Sequence, residues 1–271
     1  PKFVMVMILS ILMNYVFGLL VAKHQEEKYQ KRILTCMVLC NLSIFFVFKY
    51  LNFTLENLNY LFGGVLPQTH IVLPIGISFY TFQVLTYIFD VYREKVKVQR
   101  NFILYATYVT FFPKLVSGPI VAYKDMEAQL ELRPMTRVKF GEGAVLFFVG
   151  LFKKVLIADN LGVGFYAITA LPLDDMSTVT AWLGSILYTL MLYFDFSSYS
   201  DMAIGIAKMF GFDFNKNFDY PYKSTSITEF WRRWHMSLGA WFRDYVYIPL
   251  GGSRCATVKI IRNLVIVWLA T

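Results

Sequence analysis

Several apolar runs in this chain are long enough, or nearly so, to cross a lipid bilayer as helices. A spanning helix needs about 20 mostly apolar residues. Runs of this kind occupy residues 3–22, 33–51, 71–89, 141–158 and 177–196, and a shorter one begins at 258. Only 16% of the 271 residues are charged, whereas soluble domains have about 25%. Too few charges remain to cover a water-facing surface, so the sequence predicts an all-α, polytopic integral membrane protein.

Lysine and arginine are distributed unevenly between the segments that connect these runs. Residues 23–32 contain four of them and residues 93–100 another four, which by the positive-inside rule places both segments in the cytoplasm. Residues 52–70 and 159–175 contain none and are predicted to be outside loops. In so apolar a chain the net charge of +8 more naturally marks cytoplasmic loops than a nucleic-acid site, so we predict no nucleic-acid partner.

Two apolar segments carry features that a lipid-facing helix would not have. Residues 71–89 include a polar face made of Ser78, Thr81, Gln83 and Thr86, which indicates a helix that lines protein or water. Residues 102–123 contain Pro113, Gly118 and Pro119 and have basic flanks. Broken backbone at membrane depth must be buried in protein or face a cavity, so this second segment is predicted to be re-entrant.

The region from residue 194 to 254 accumulates charges and does not fit a membrane span. Ser226 and Glu229 form a capping box, which predicts a helix that begins at Ile227. Apolar and aromatic residues recur at helical spacing up to Phe242, with five charged residues elsewhere on or just beyond this helix: Glu229, Arg232, Arg233, Arg243 and Asp244. At the centre of a bilayer five charges would cost about 15 kcal/mol. We therefore expect an amphipathic helix at the interface, or one that lines a wet central cavity.

His235 lies on the aromatic face of that predicted helix and has two interpretations. It is either a packed interfacial histidine or a site residue whose ring is kept neutral by burial, as a general base must be. A metal site is not expected, because His24 and His70 are predicted on opposite sides of the membrane.

Other polar residues of this region also have both a structural and a functional interpretation. Arg232 and Arg233 either anchor the helix at the interface or contact a phosphate-bearing donor. Asp195, Ser198 and Asp201 are predicted to form a polar lining or network at the end of the preceding helix. The sequence has no G-x-S-x-G motif, so a serine hydrolase triad is not expected.

Two long motifs in this region resemble a known family. They are NFDYPYKSTSITEFWRRWHMSL at 217–238 and WFRDYVYIPLGGSR at 241–254, and both are similar to the signature of the membrane-bound O-acyltransferases. The resemblance is to the bacterial branch that includes the membrane subunits of alginate O-acetyltransferases. Residues 73–93, 111–126 and 193–212 agree with it.

The resemblance implies a ring of membrane helices with re-entrant segments around a central tunnel. It also implies transfer of an acetyl group from a cytoplasmic thioester such as acetyl-CoA to hydroxyls of an exported polysaccharide, with no bound cofactor. The resemblance further implies that the protein lies in the inner membrane of a bacterium, in contact with its lipids. It also implies an extracytoplasmic acetyltransferase as a partner protein. His235 matches one of the family's two site positions, Arg243 and Asp244 match its Arg-Asp step, and Trp231, Arg232 and Trp234 would line the site.

One feature of the family pattern is missing from this sequence. The family's second histidine, which the resemblance implies to be the catalytic base, follows the signature within the next membrane helix. That helix begins at Val258 here, and no histidine occurs up to Thr271. We therefore expect residues 1–271 to form a single family-type domain that is incomplete at its C-terminus.

Other functions remain open at the level of sequence. Within the same chemistry, D-alanyl transfer to teichoic acid is the alternative, although the motif YIPLGG at 247–252 favours the acetyl branch. A transporter or flippase would also suit broken helices and intramembrane polar residues, but it would be expected to show internal symmetry, and the sequence has none. A non-catalytic scaffold is the third class.

Overall fold

The computed structural model describes residues 2–24, 26–67, 69–115 and 118–270. These residues contain helices and no β-strand, which confirms the predicted all-α class. The chain forms two compact units, Pro1–Val116 with Ile120–Leu132 and Arg133–Thr271 with Ser117–Pro119. The ring, the tunnel and the single family-type domain stay predictions.

Six α-helices build the described part of the first unit. They are α1 (Lys2–Lys23), α2 (Glu27–Lys49), α3 (Leu51–Phe62), α4 (Ile77–Tyr92), α5 (Phe102–Thr110) and α6 (Tyr123–Glu131). Helix α4 packs against α1, α2, α5 and α6 and is the most buried element of this unit. Two buried asparagines join α1 to α2, because the amides of Asn14 and Asn41 each donate a hydrogen bond to the other.

The predicted membrane spans are confirmed in part. Among the residues that the structure describes, three helices are long and apolar enough to cross a membrane, namely Phe3–Lys23, Glu27–Lys49 and Thr178–Met209. The run at 71–89 gives a shorter helix that begins only at Ile77, because the chain turns at Pro74 and Gly76, and Gly76 has a φ of 76°. The polar side chains on this helix are packed inside the protein, as the sequence predicted: Thr81, Gln83 and Thr86 are buried.

Two connecting segments are more helical than predicted. Residues 52–70 were expected to be a loop, but α3 extends to Phe62. Likewise Asp159–Thr169 is helical rather than part of an outside loop. Charge patterns report the side of the membrane and not the local conformation, so the sides of these segments stay predictions. In the predicted re-entrant segment, α5 ends at Thr110 and Phe112–Lys114 form a 3-10 turn that contains Pro113; re-entry itself stays a prediction.

The second unit is dominated by a long helical hairpin. The helices of this unit are α7 (Arg137–Phe152), α8 (Asp159–Thr169), α9 (Thr178–Met209), α10 (Ile227–Arg233), α11 (Met236–Phe242) and α12 (Thr257–Ala270). A π-helical segment, Lys153–Ala158, joins α7 to α8 without a break, and both helices pack against α9. Residues 153 and 154 therefore belong to a continuous helical rod that runs beside α9.

Glycines allow the two rods of the hairpin to approach closely. A Cβ added to Gly150 would lie 2.7 Å from the backbone oxygen of Ser198, and one added to Gly143 would lie 2.6 Å from that of Gly205. Small residues at helix crossings permit this backbone contact in membrane proteins. The close approach fixes α9, and with it the polar residues in its second half, relative to α7.

We expect Gly150→Ala to destabilise the second unit by about 1–3 kcal/mol, because the methyl group forces the backbones of α7 and α9 apart. Thermal unfolding of the protein in detergent measures the effect. Gly141→Ala is the matched control, since its Cβ would have no heavy atom within 4 Å and alanine is favoured over glycine in a helix. Equal unfolding temperatures for the two variants would contradict the close contact.

Candidate active site

The chain breaks its helix at the predicted site residue. Helix α10 ends at Arg233 and α11 begins at Met236. His235 has φ 42° and ψ 55°, in the left-handed region, which residues other than glycine rarely adopt. The single amphipathic helix predicted from 227 to 242 is therefore wrong, although its start at Ile227 is confirmed.

The start of α10 is fixed by the side chains that the sequence identified. Ser226 Oγ accepts a hydrogen bond from the backbone N–H of Glu229 at 3.1 Å, as in a capping box. The Glu229 carboxylate accepts from the N–H of Thr225 at 3.0 Å. It also accepts from Nε of Arg233, one turn later, at 3.0 Å. Both ends of this short helix are thereby tied together.

Asn217 provides the hydrogen bonds that replace the helix at the break. Its backbone oxygen accepts from the N–H of Met236 at 2.9 Å. Its side-chain Oδ1 accepts from the N–H and the hydroxyl of Ser237, at 3.1 and 2.9 Å. Its Nδ2 donates to Ser200 Oγ on α9 at 3.1 Å. Asn217, which is 1% exposed, therefore holds the break against α9.

His235 is buried at this break and is surrounded by aromatic rings. Its Nδ1 lies 3.2 Å from Asn217 Oδ1. The ring of Phe196 contacts it edge-on at a centroid distance of 4.8 Å, and that of Phe218 stacks at 6.3 Å. Burial lowers the pKa of His235 from 6.5 to about 4. The imidazole is therefore neutral at physiological pH.

The two predicted tryptophans of the site have different surroundings. Trp234 stacks on Phe230 at a centroid distance of 5.6 Å and meets Phe218 edge-on at 5.1 Å. Trp231 is 61% exposed, with its neighbour Phe230 at 5.3 Å. Trp234 thus belongs to the aromatic packing beside His235, and Trp231 lies at its edge.

The predicted arginines fall into three groups. Arg233 is paired with Glu229 at 2.8 Å and with Asp219 at 3.5 Å, so it stabilises the fold around α10. Arg232 is exposed. Arg243 and Asp244 pair with each other, Nε to Oδ1 at 2.7 Å, within the π-helical segment Arg243–Tyr247. They are not among the hydrogen-bonding or ring contacts of His235 in the described part of the chain.

The polar residues of α9 lie in the middle of the helix and not at its end. The prediction that they terminate the helix is wrong, since α9 continues to Met209. Asp195 pairs with Lys154 at 2.7 Å, and Asp201 with Lys153 at 2.7 Å. These ion pairs let charged groups occupy a long apolar helix. Ser198 Oγ donates to the Asp195 carbonyl at 2.8 Å within α9, whereas the two carboxylates join α9 to the π-helical segment.

Several residues of the site were not predicted as such from the sequence. They are Asn217, Ser237, Phe196 and Phe218, which contact His235 or hold the residue that does. Asn217 lies 18 positions before His235, too far for helical spacing to relate the two. In the described residues, no three His, Cys, Asp or Glu side chains are placed to hold a metal ion.

Comparison with known proteins finds relatives over nearly the whole chain. The model of the membrane-bound O-acyltransferase family matches residues 5–270. The probable alginate O-acetylase AlgI of Azotobacter vinelandii is 47% identical over 261 residues, 94% of this chain and 52% of that protein. The peptidoglycan O-acetyltransferase of Helicobacter pylori is 36% identical over 299 residues, 99% of this chain and 56% of that protein.

A third relative carries a different acyl group in its name. The teichoic acid D-alanyltransferase of Bacillus subtilis is 31% identical over 190 residues, 67% of this chain and 47% of that protein. The chain spans about half the length of the curated relatives it matches. Because the family model covers almost every residue, the chain belongs to the membrane-bound O-acyltransferase family.

Proposed function

We propose that this chain is part of a membrane O-acyltransferase that transfers an acetyl group from a thioester donor to hydroxyls of an exported polysaccharide. The family assignment supports the acyl transfer. The acetyl group and the polysaccharide acceptor are supported by the names of the more similar relatives, an alginate O-acetylase and a peptidoglycan O-acetyltransferase. D-alanyl transfer to teichoic acid is the second candidate, supported by a relative of lower identity over a shorter part of the chain.

The observation that carries this proposal is the state of His235. Its ring is buried, its pKa is lowered to about 4 by that burial, and its backbone is held at a helix break beside α9. In the proposed reaction the acceptor hydroxyl oxygen forms a bond to the donor carbonyl carbon. The carbon–sulfur bond breaks, and the hydroxyl proton ends on the released thiol. A neutral imidazole suits the positioning of either reactant.

The remaining roles follow from the family resemblance. A second histidine, which the resemblance implies, would act as the base, while His235 positions a reactant. Acetyl-CoA or another acyl thioester would reach the site from the cytoplasm. The inner membrane of a bacterium, its lipids and an extracytoplasmic acetyltransferase partner complete the proposal. The three candidate spans support the membrane location.

Acyl transfer in vesicles tests the proposed function. The full-length protein is reconstituted, labelled acetyl-CoA is supplied on the cytoplasmic face, and label on the polysaccharide is measured. We expect label to reach polysaccharide hydroxyls only when the protein is present. Movement of unmodified donor or lipid across the membrane without transfer would favour a transporter. No transfer and no movement, with the partner protein present, would favour a scaffold.

Arg232 is expected to contact the phosphates of the donor. Its side chain is exposed, whereas its neighbour Arg233 is engaged by Glu229 and Asp219. Arg232→Ala should raise the KM for the thioester about tenfold, the value of one charge-assisted hydrogen bond, and leave kcat unchanged. Arg232→Lys, which keeps the charge, is the matched control and should show a smaller rise. An unchanged KM in Arg232→Ala would support simple interfacial anchoring.

A further inference from the structure

The hydrogen bonds around Asn217 determine which end of its side-chain amide faces His235. The backbone N–H of Ser237 points at the Asn217 atom 3.1 Å away, and a peptide N–H can only donate. That atom must therefore be the amide oxygen, Oδ1. The opposite end agrees with this, because the Nδ2 group lies 3.1 Å from Ser200 Oγ, which can accept.

The orientation of Asn217 in turn determines which nitrogen of His235 carries a proton. Nδ1 of His235 lies 3.2 Å from the same Oδ1, and an amide oxygen can only accept. Nδ1 must therefore be the donor. A neutral imidazole has one N–H, so the other nitrogen, Nε2, holds a lone pair. In the described part of the chain Nε2 has no hydrogen-bond partner.

The tautomer is held by a rigid environment and not by a single bond. Asn217 is buried, and a flip of its side-chain amide would break its hydrogen bonds to Ser200 Oγ and to the N–H of Ser237. Phe196 meets the imidazole edge-on at 4.8 Å and Phe218 stacks at 6.3 Å. A half-turn of the ring, which would put Cδ2 in the place of Nδ1, is opposed by both contacts.

We propose that Asn217 is a positioning residue that fixes His235 with its proton on Nδ1, so that Nε2 accepts a hydrogen bond from a hydroxyl of the acceptor sugar other than the one that attacks. This inference rests on the proposed function and makes it more specific. A lone pair on Nε2 accepts from a hydroxyl but cannot donate to the carbonyl oxygen of a thioester. His235 therefore orients the acceptor sugar while the proton of the attacking hydroxyl stays available to the base, and the oxyanion that forms on the donor is stabilised by other groups.

Ring-nitrogen NMR of the full-length protein with isotope-labelled histidine tests the tautomer directly. The signals of His235 are assigned by their loss in His235→Asn. We expect a protonated Nδ1 and an unprotonated Nε2 at neutral pH. The reverse tautomer, or a mixture of the two in comparable amounts, would overturn the inference without reference to any activity.

Two substitutions at Asn217 separate positioning from folding. Asn217→Ala removes the acceptor and should lower kcat for transfer about tenfold or more, with the donor KM unchanged, because an ill-oriented ring misplaces the hydroxyl. Asn217→Asp keeps an acceptor at the same atom and should recover part of the loss. Its charge favours the imidazolium, so its activity should fall at a higher pH than that of the natural protein as the pH is lowered.

Asn263→Ala is the matched control for these variants. Asn263 is a buried asparagine of the same unit, and its Nδ2 donates to the Leu250 carbonyl at 3.1 Å. This variant should leave the His235 signals unchanged, even where it lowers stability. Identical kcat and pH profiles in Asn217→Ala, Asn217→Asp and the natural protein would overturn the positioning role. If the expected tautomer is found and Asn217→Ala disturbs it, but the full-length protein transfers no acyl group, the proposed function fails and the tautomer assignment stands.

Discussion

Replacing His235 by alanine in the full-length protein is expected to lower acyl transfer about 100-fold or more, while the protein still inserts and folds. Orientation of the acceptor sugar by a neutral imidazole contributes on this scale. The residue is buried against α9, so a smaller side chain leaves a gap. Water can fill this gap but cannot orient the acceptor as the imidazole does. The measurement is label transfer from the thioester to the polysaccharide in vesicles.

Two companion variants assign the loss to the imidazole ring. Asparagine tolerates the left-handed backbone of residue 235 better than alanine does, so His235→Asn should retain the unfolding temperature more fully than His235→Ala. His70, an exposed histidine of the first unit, is the control position, and His70→Ala should transfer at the normal rate. Near-normal turnover in His235→Ala would return His235 to the interpretation of a packed interfacial histidine.

Local sequence patterns predicted where the site helix begins but not where it ends. Ser226 and Glu229 are three residues apart, and their bonds form within one helical turn. The break at His235 depends on Asn217, which replaces helical hydrogen bonds from a distant point in the chain. Periodicity continued smoothly through Trp234 and His235, because aromatic packing occupies one side of α10 and continues beyond the break. Pairing information over 18 positions is not contained in a local pattern.

The same limit explains why the acidic residues of α9 were placed at a helix end. A carboxylate in an apolar run predicts a boundary when only the run itself is considered, since an unpaired charge in lipid is costly. Lys153 and Lys154 remove that cost, and they can do so because the π-helical segment brings two consecutive lysines to α9. The glycine contacts of the hairpin set the distance across which these pairs form.

The stability of the second unit is expected to depend on pH through His235. Its pKa is about 4 in the folded protein and 6.5 when burial is absent. Above pH 6.5 both states are neutral, so the ring adds no pH dependence. Between pH 6.5 and about 4 the unfolded state binds a proton that the folded state does not, and stability falls as the pH falls. The full loss is about 3 kcal/mol.

Unfolding in detergent as a function of pH, compared between the natural protein and His235→Gln, measures this loss. Glutamine has no titrating ring. The free energy of unfolding of the natural protein should therefore fall relative to that of His235→Gln as the pH is lowered from 6.5 to about 4, and the difference between them should be constant above pH 6.5. The pH-dependent loss of stability can be assigned to His235 alone, because its hydrogen-bonding and ring contacts are to Asn217, Phe196 and Phe218. None of these three residues titrates. Parallel pH profiles for the two proteins would mean that the pKa of His235 is the same in the folded and unfolded states. The site around His235 would then be open to water.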